Sequence, residues 1–190
     1  VGNQLGTMLL RKRAEEDNKR KTEDLLMIQS LNNAANRGDT VGQIFELLKE
    51  ETAKIFSPRG TAFYRVSEDG ERLEMAVLNI PTDLMNRIEK MIGMKLPKLG
   101  VTLREGSLYR EILLEGNPRL IEDSESIQQL MAEFTDSPAL KKMVGVISAI
   151  LGDHSVMSVP MISEGIPIGL LEVSRSEPFT EADLQRMAVI

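Results

Sequence analysis

The sequence predicts a mixed α/β (α+β) domain behind a long N-terminal helix, and three observations carry that expectation. Helical and strand-like periodicities interleave from Asp39 to the C-terminus. Two pairs of short apolar runs are each split by a Gly-containing turn, the mark of antiparallel hairpins. The first 36 residues read as one continuous helix.

Composition sets the outer bounds. The 190 residues suffice for one domain of ordinary size and an appendage. A formal net charge of −6, with acids interleaved among the Lys and Arg, argues against a nucleic-acid groove. Apolar runs stay well short of the roughly 18 residues of a membrane span, and no signal peptide is evident. Neither nucleic-acid binding nor membrane insertion is therefore expected, and a cytoplasmic location is. The absence of Cys removes disulfides, thiolate metal sites and cysteine nucleophiles, and the single His leaves few metal ligands. No cofactor and no metal site are expected.

The N-terminal helix has three parts. Val1–Leu10 is mildly apolar, with Leu5, Met8 and Leu9 on one side. Arg11–Asp24 is nearly all charged, with Glu15 and Lys19, Glu16 and Arg20, and Asp17 and Lys21 at i,i+4 spacing. Such pairs stabilise an exposed helix by about 0.2–0.5 kcal/mol each. Leu25, Leu26, Ile28 and Leu31 then restore an apolar stripe. A charged helix of this length has no core of its own, so pairing with a second copy in a coiled-coil-like dimer is favoured over a merely solvated helix.

Beyond it, Thr40 and Gln43 form a capping box for a helix with Val41, Ile44, Phe45, Leu48, Ile55 and Phe56 on one face. Thr61–Val66 and Arg72–Ile80 flank Glu68-Asp69-Gly70 as a hairpin. Pro81–Ile92 is helical, with Leu84, Ile88, Met91 and Ile92 together. Gly106–Asp123 reads as a helix stopped at Gly116, a Gly-Asn-Pro turn and a strand over Arg119–Glu122; Asp123 can cap the next helix. Ser124–Gly152 holds two apolar stripes broken at Pro138: Ile127, Leu130, Met131 and Phe134, then Leu140, Met143, Val144, Ile147, Ile150 and Leu151. Val156–Ile162 and Ile166–Val173 form a second hairpin across the three residues Ser163-Glu164-Gly165. Thr180 with Asp183, and Phe179 with Leu184, supply a cap and a hydrophobic staple for the last helix.

The stretch from Ser155 to Leu184, with Val159-Pro160 in one strand and Gly169-Leu170-Leu171-Glu172-Val173 in the next, resembles the C-terminal third of a GAF domain. The helix ending at Gly116 that leads into a strand ending at Asp123 resembles the same family, and the likeness extends over Leu25 to Ile190. It implies a GAF/PAS-like central antiparallel sheet with helices on both faces, residues 37–190 forming the domain and residues 1–36 a signalling helix. The chain ends inside a helix without a stop signal, and its first residues resemble the usual continuation of such a helix. The expectation is a piece of a tandem sensor array with further domains.

In that family the segment before the final hairpin walls a pocket. The resemblance thus implies a small-molecule site under 124–152, with Tyr64, Tyr109, Met131, Phe134, Met143, Ile147, His154 and Met157 as candidate contacts. Flexible, polarizable Met suits an adaptable pocket, though any single Met serves equally as core. His154 can ligate haem iron, bind a ligand by hydrogen bond, or sit on the surface. Tyr64 and Tyr109 can offer hydroxyls or be ordinary core. Arg104-Glu105 and Glu172 can rim the pocket, with a surface salt bridge the favoured fate. Bilin attachment and methionine sulfoxide reduction, as found in the family, use a cysteine missing here, and the cyclic-nucleotide pattern is absent. No nucleophile–base pair assembles from spacing, so an enzyme is not expected. The resemblance implies a sensory module of a signalling protein, a sensor histidine kinase foremost, that acts as a homodimer through Val1–Asn36 and the C-terminal helix; the alternative is a ligand-free dimerisation spacer.

Overall fold

The computed structural model describes residues 2–93 and 100–189; Val1, Ile190 and the side chains of Leu5 and Ile92, which the sequence patterns include, lie outside the described residues. The chain divides into two compact units, one running to Glu51 and the other spanning Thr52–Val189.

In the first unit, α1 (Gly2–Asn36) is uninterrupted for 35 residues. Arg11–Glu15, Lys12–Glu16 and Lys19–Glu23 pair at i,i+4 spacing along its charged stretch. Met8, Leu9, Leu10, Leu25 and Leu26 are exposed. Gly38 ends the helix with a φ of 77°, a value without cost only for a residue lacking Cβ. Helix α2 (Val41–Phe56) starts on the expected capping box: Thr40 N–H donates to Gln43 Oε1 at 2.8 Å, and Gln43 N–H donates to Thr40 Oγ1 at 3.3 Å.

The second unit is a six-stranded antiparallel sheet ordered β3-β2-β1-β6-β5-β4. Strands β1 (Gly60–Val66) and β2 (Arg72–Asn79) form one hairpin. Helix α3 (Thr82–Ile92) leads towards the short edge strand β3 (Gly100–Thr102). Helix α4 (Leu108–Glu115) is capped by Ser107 and closed by left-handed Gly116 ahead of β4 (Arg119–Ile121) on the other edge. Asp123 caps α5 (Ser124–Glu133), and Ser137 caps α6 (Pro138–Leu151), whose Pro sits in the first turn where no N–H is needed. Strands β5 (Ser155–Ser163) and β6 (Ile166–Arg175) make the second hairpin, and α7 (Glu181–Ala188) begins at a Thr180–Asp183 capping box. Phe179 and Leu184 are both buried, as a staple requires.

The second hairpin corrects the sequence expectation in one detail. Ser163 pairs with Ile166, so the loop is the two residues Glu164 and Gly165, both at positive φ (51° and 79°). Two positive-φ residues twist the chain in the sense that strands need. Glu at the first is unusual, which is why the pattern suggests a longer loop.

Strand alternation divides the core between two faces. Ala62, Tyr64, Leu73, Val156 and Leu170 lie on one face, packed with Tyr109 and Ile112 of α4 and Ile127 and Leu130 of α5. Phe63, Met157, Leu171 and Val173 are equally buried but point the opposite way, the side on which Ser155 Oγ accepts from Phe179 N–H at 3.0 Å. Arg175 fastens that second side. Its guanidinium donates to the carbonyls of Phe56 (3.1 Å), Glu177 (3.0 Å) and Pro178 (2.7 Å), and lies 3.9 Å from the centre of the Phe179 ring.

Candidate functional site

Gly60 and Ala62 put little or no side chain on the first-named face of β1, and a cavity of about 230 Å³ opens there. Its floor is β1 and β6, with Met75 and Leu78 of β2 beside them; its roof is α5 and α6. The roof residues of α6 are Leu140, Val144, Ile147 and Leu151, which recur every three or four positions and so share one helical face. Ile127, Leu130, Met131 and Phe134 do the same from α5.

One wall is aromatic. Tyr64, Tyr109 and Phe134 meet pairwise with ring centroids 5.8, 5.9 and 5.7 Å apart, Tyr109 standing edge-on to Phe134. The tyrosine hydroxyls converge on Glu172 of β6, which is only 8% exposed. Tyr109 Oη donates to Glu172 Oε2 at 3.1 Å, and Ser158 Oγ donates to Oε1 at 3.2 Å. Burial raises the Glu172 carboxyl from 4.5 to about 7, against the opposing pull of its Tyr109, Tyr64 and Ser158 hydrogen bonds. Burial also lifts both tyrosines well above their ordinary value, and the neighbouring Glu172 charge adds to this.

The other end of the cavity carries a second acid. Asp153 comes directly after Gly152, the left-handed residue that ends α6. Its Oδ2 accepts from Ser174 Oγ at 3.0 Å, whereas its Oδ1 is buried without a hydrogen-bond partner among the described residues. Burial raises the Asp153 carboxyl, opposed by the Ser174 hydrogen bond and by the charges of Arg59 and His154. Thr61 Oγ1 is also buried and without a hydrogen-bond partner among the described residues, but Thr61 pairs with Val173 and so points to the opposite sheet face.

Of the eight candidate contacts, five line this cavity: Tyr64, Tyr109, Met131, Phe134 and Ile147. Three do not. Met143 precedes Val144 by one residue, off the lining face of α6. Met157 lies between Val156 and Ser158 on β5, and the strand's two-residue period sends it into the opposite layer, fully buried. His154 is exposed and outside the lining. Glu172, expected to rim the pocket or, as the favoured fate, to sit in a surface salt bridge, is the best-connected polar group of the site. Arg104 does take the surface fate, pairing with Asp136 at 2.8 Å, and Asp123 caps α5 by accepting from Ser126 N–H at 2.7 Å. Asp153 and Ser174 carry no sequence signal as site residues. Alternation around Glu172 is the available clue, since an acid two residues from Leu170 in a strand buried on both faces must itself face inward.

A six-stranded antiparallel sheet with a helix-roofed pocket on one face and α7 packed on the other defines a class of small α+β domains. The GAF domain family model matches residues 40–190, and the chain belongs to that family. No curated protein matches it. Among solved structures, the GAF domain of an Acinetobacter phosphoenolpyruvate-protein phosphotransferase aligns with a TM-score of 0.61 at 12% identity, over 90% of this chain and 87% of that one. The free methionine-R-sulfoxide reductase of Neisseria meningitidis, in complex with its substrate, aligns at 0.59 and 16% identity, over 90% and 84%. The phycocyanobilin-bound GAF domain of a cyanobacterial phytochrome aligns at 0.58 and 16%, over 87% and 88%. At such identities the likeness is one of fold. GAF domains occur in signalling proteins, phytochromes among them.

Proposed function

We propose that this chain is the sensory module of a multidomain signal-transduction protein, with a sensor histidine kinase as its parent. It binds a small molecule in the cavity beneath α5 and α6 and passes the change to its flanking helices. It acts by binding and not by catalysis. The observation that carries this reading is the cavity itself: about 230 Å³ of space inside the domain, apolar around most of its wall and polar at its floor. A site of that size holds a ring with a short arm, since an engineered apolar cavity of about 150 Å³ accepts benzene. A spacer domain would gain stability by closing such a space. The mechanism is a population shift: a ligand favouring one arrangement of α5 and α6 selects it in proportion to its differential affinity.

Native mass spectrometry of freshly purified protein, compared with its denatured mass, tests this. A reproducible added mass that leaves on denaturation is the expected result. A bare protein whose Tm no metabolite library shifts would return the domain to a spacer role.

Self-association through α1 belongs to the same proposal. Leu25 and Leu26 are 67% and 57% exposed beside a half-buried Ile28, so they are the positions to change. Leu25→Asp with Leu26→Asp is expected to convert a dimer to monomer in sedimentation velocity with the Tm nearly unmoved. An unchanged sedimentation coefficient would remove α1 as the dimer contact.

A further inference from the structure

Among the described residues, the cavity's charged groups are of one sign. Its ionisable lining groups, among the described residues, are Asp153, Glu172 and the two tyrosines, and none is a Lys, Arg or His. Glu172 has both carboxylate oxygens occupied, by Tyr109 and Ser158. Ser174 has its hydroxyl proton committed to Asp153 Oδ2, which leaves only lone pairs on that oxygen. Asp153 Oδ1 is buried and has no partner among the described residues. Arg59 and His154 act on Asp153 through their charge, yet neither lines the cavity; Arg59 Nη1 donates to Ser176 Oγ at 3.2 Å and His154 is exposed. Among the described residues, this end of the cavity therefore offers acceptors and negative charge and no lining cation for an anion.

An orphaned buried acceptor costs about 1–3 kcal/mol, more if charged, and a ligand donor offsets that cost. A carboxylate or phosphate entering here would meet two acids and, among the described lining residues, no cation. The rest of the wall, from Met75 and Leu78 to Leu140 and Ile147, is apolar apart from Thr61 and Thr135 among the described residues.

We infer that the cavity takes a small molecule with an apolar body and a positively charged, hydrogen-bond-donating nitrogen, such as a primary amine, with the nitrogen on Asp153 Oδ1 and Ser174 Oγ and the body under α5 and α6. This rests on the reading that the cavity holds a small molecule, and it adds the ligand's charge and shape. Charge-assisted hydrogen bonds are about twice as strong as neutral ones, so the nitrogen sets the preference while the hydrocarbon body supplies affinity common to any ligand of that shape.

Three ligands of one shape separate the two claims: cyclohexylmethylamine, cyclohexylmethanol and cyclohexanecarboxylate, titrated calorimetrically at pH 7.5 into the wild type and into Asp153→Asn. In the wild type the amine is expected to bind at least about tenfold more tightly than the alcohol, and the carboxylate not at all. Asp153→Asn should erase the amine's advantage and leave the alcohol's affinity within about twofold. Binding of the alcohol with no preference for the amine, or a preference that survives Asp153→Asn, overturns this inference and leaves the cavity as a site. Failure of all three to bind the wild type at millimolar concentration overturns both. The wild-type ranking decides the matter even where the variant is unstable.

Discussion

Replacing Gly169 with alanine is expected to destabilise the domain by roughly 3 kcal/mol and to lower its Tm by about 6–12 °C. Gly169 sits in β6 opposite Arg65 of β1 and Met161 of β5, in the middle of the sheet. A Cβ there would stand 2.3 Å from the carbonyl oxygen of Tyr64 and 2.5 Å from Met161 Cε. The methionine can swing away. The carbonyl belongs to the β1 backbone, and moving it strains the ladder that positions Tyr64 at the cavity wall. Gly42→Ala is the matched control: nothing lies within 4 Å of its added Cβ in α2, so it should leave stability unchanged or slightly raised. A Gly169→Ala melt within about 2 °C of wild type would show that the two strands approach less closely than the geometry requires.

The second large effect depends on pH. Burial holds the Glu172 carboxyl near 7, above its ordinary 4.5, so the folded state keeps a proton that the unfolded chain releases. Below pH 4.5 both states are protonated and this residue exacts no penalty. As pH rises through the window from 4.5 to 7 the fold loses stability relative to that limit, by roughly 3 kcal/mol once Glu172 is ionised. Glu172→Gln keeps the shape and offers Tyr109 and Ser158 a neutral partner. Urea melts at pH 4.5, 6 and 8 should show the variant equal to wild type at the lowest pH and more stable by up to about 3 kcal/mol at the highest. Parallel curves for the two proteins would mean that Glu172 ionises in the fold as it does in water.

Helix boundaries are the readily legible part of this chain, because they are written in local chemistry. Thr40 with Gln43, Thr180 with Asp183, Asp123, Gly116 and Pro138 act within four residues of themselves, so sequence neighbours suffice to identify them. The cavity roof is legible for a related reason: the α5 stripe and Leu140, Val144 and Ile147 repeat at the helical period. Met143 misleads because it adjoins that stripe without sharing its face. Met157 misleads because β5 is buried on both sides, and a strand without a polar face gives no phase from which to count. His154 stands out for its chemistry alone, and chemistry does not report exposure. Glu172 reads as a surface acid until Tyr109, sixty-three residues away in sequence, is known to donate to it. Asp153 is the extreme case. Its neighbours give no sign that one of its oxygens is left without a partner among the described residues, since that is a property of everything packed around it.

Adjacent residues of β6 face opposite sides of the sheet, and this gives Ser174 and Arg175 a joint mechanical meaning. Ser174 touches the cavity and holds Asp153, while Arg175 clasps the last carbonyl of α2 and the loop that begins α7. One peptide bond joins the two grips. A movement of β6 at the cavity floor would therefore carry Arg175 with it, and through that guanidinium would pull on the end of α2 and the start of α7 together.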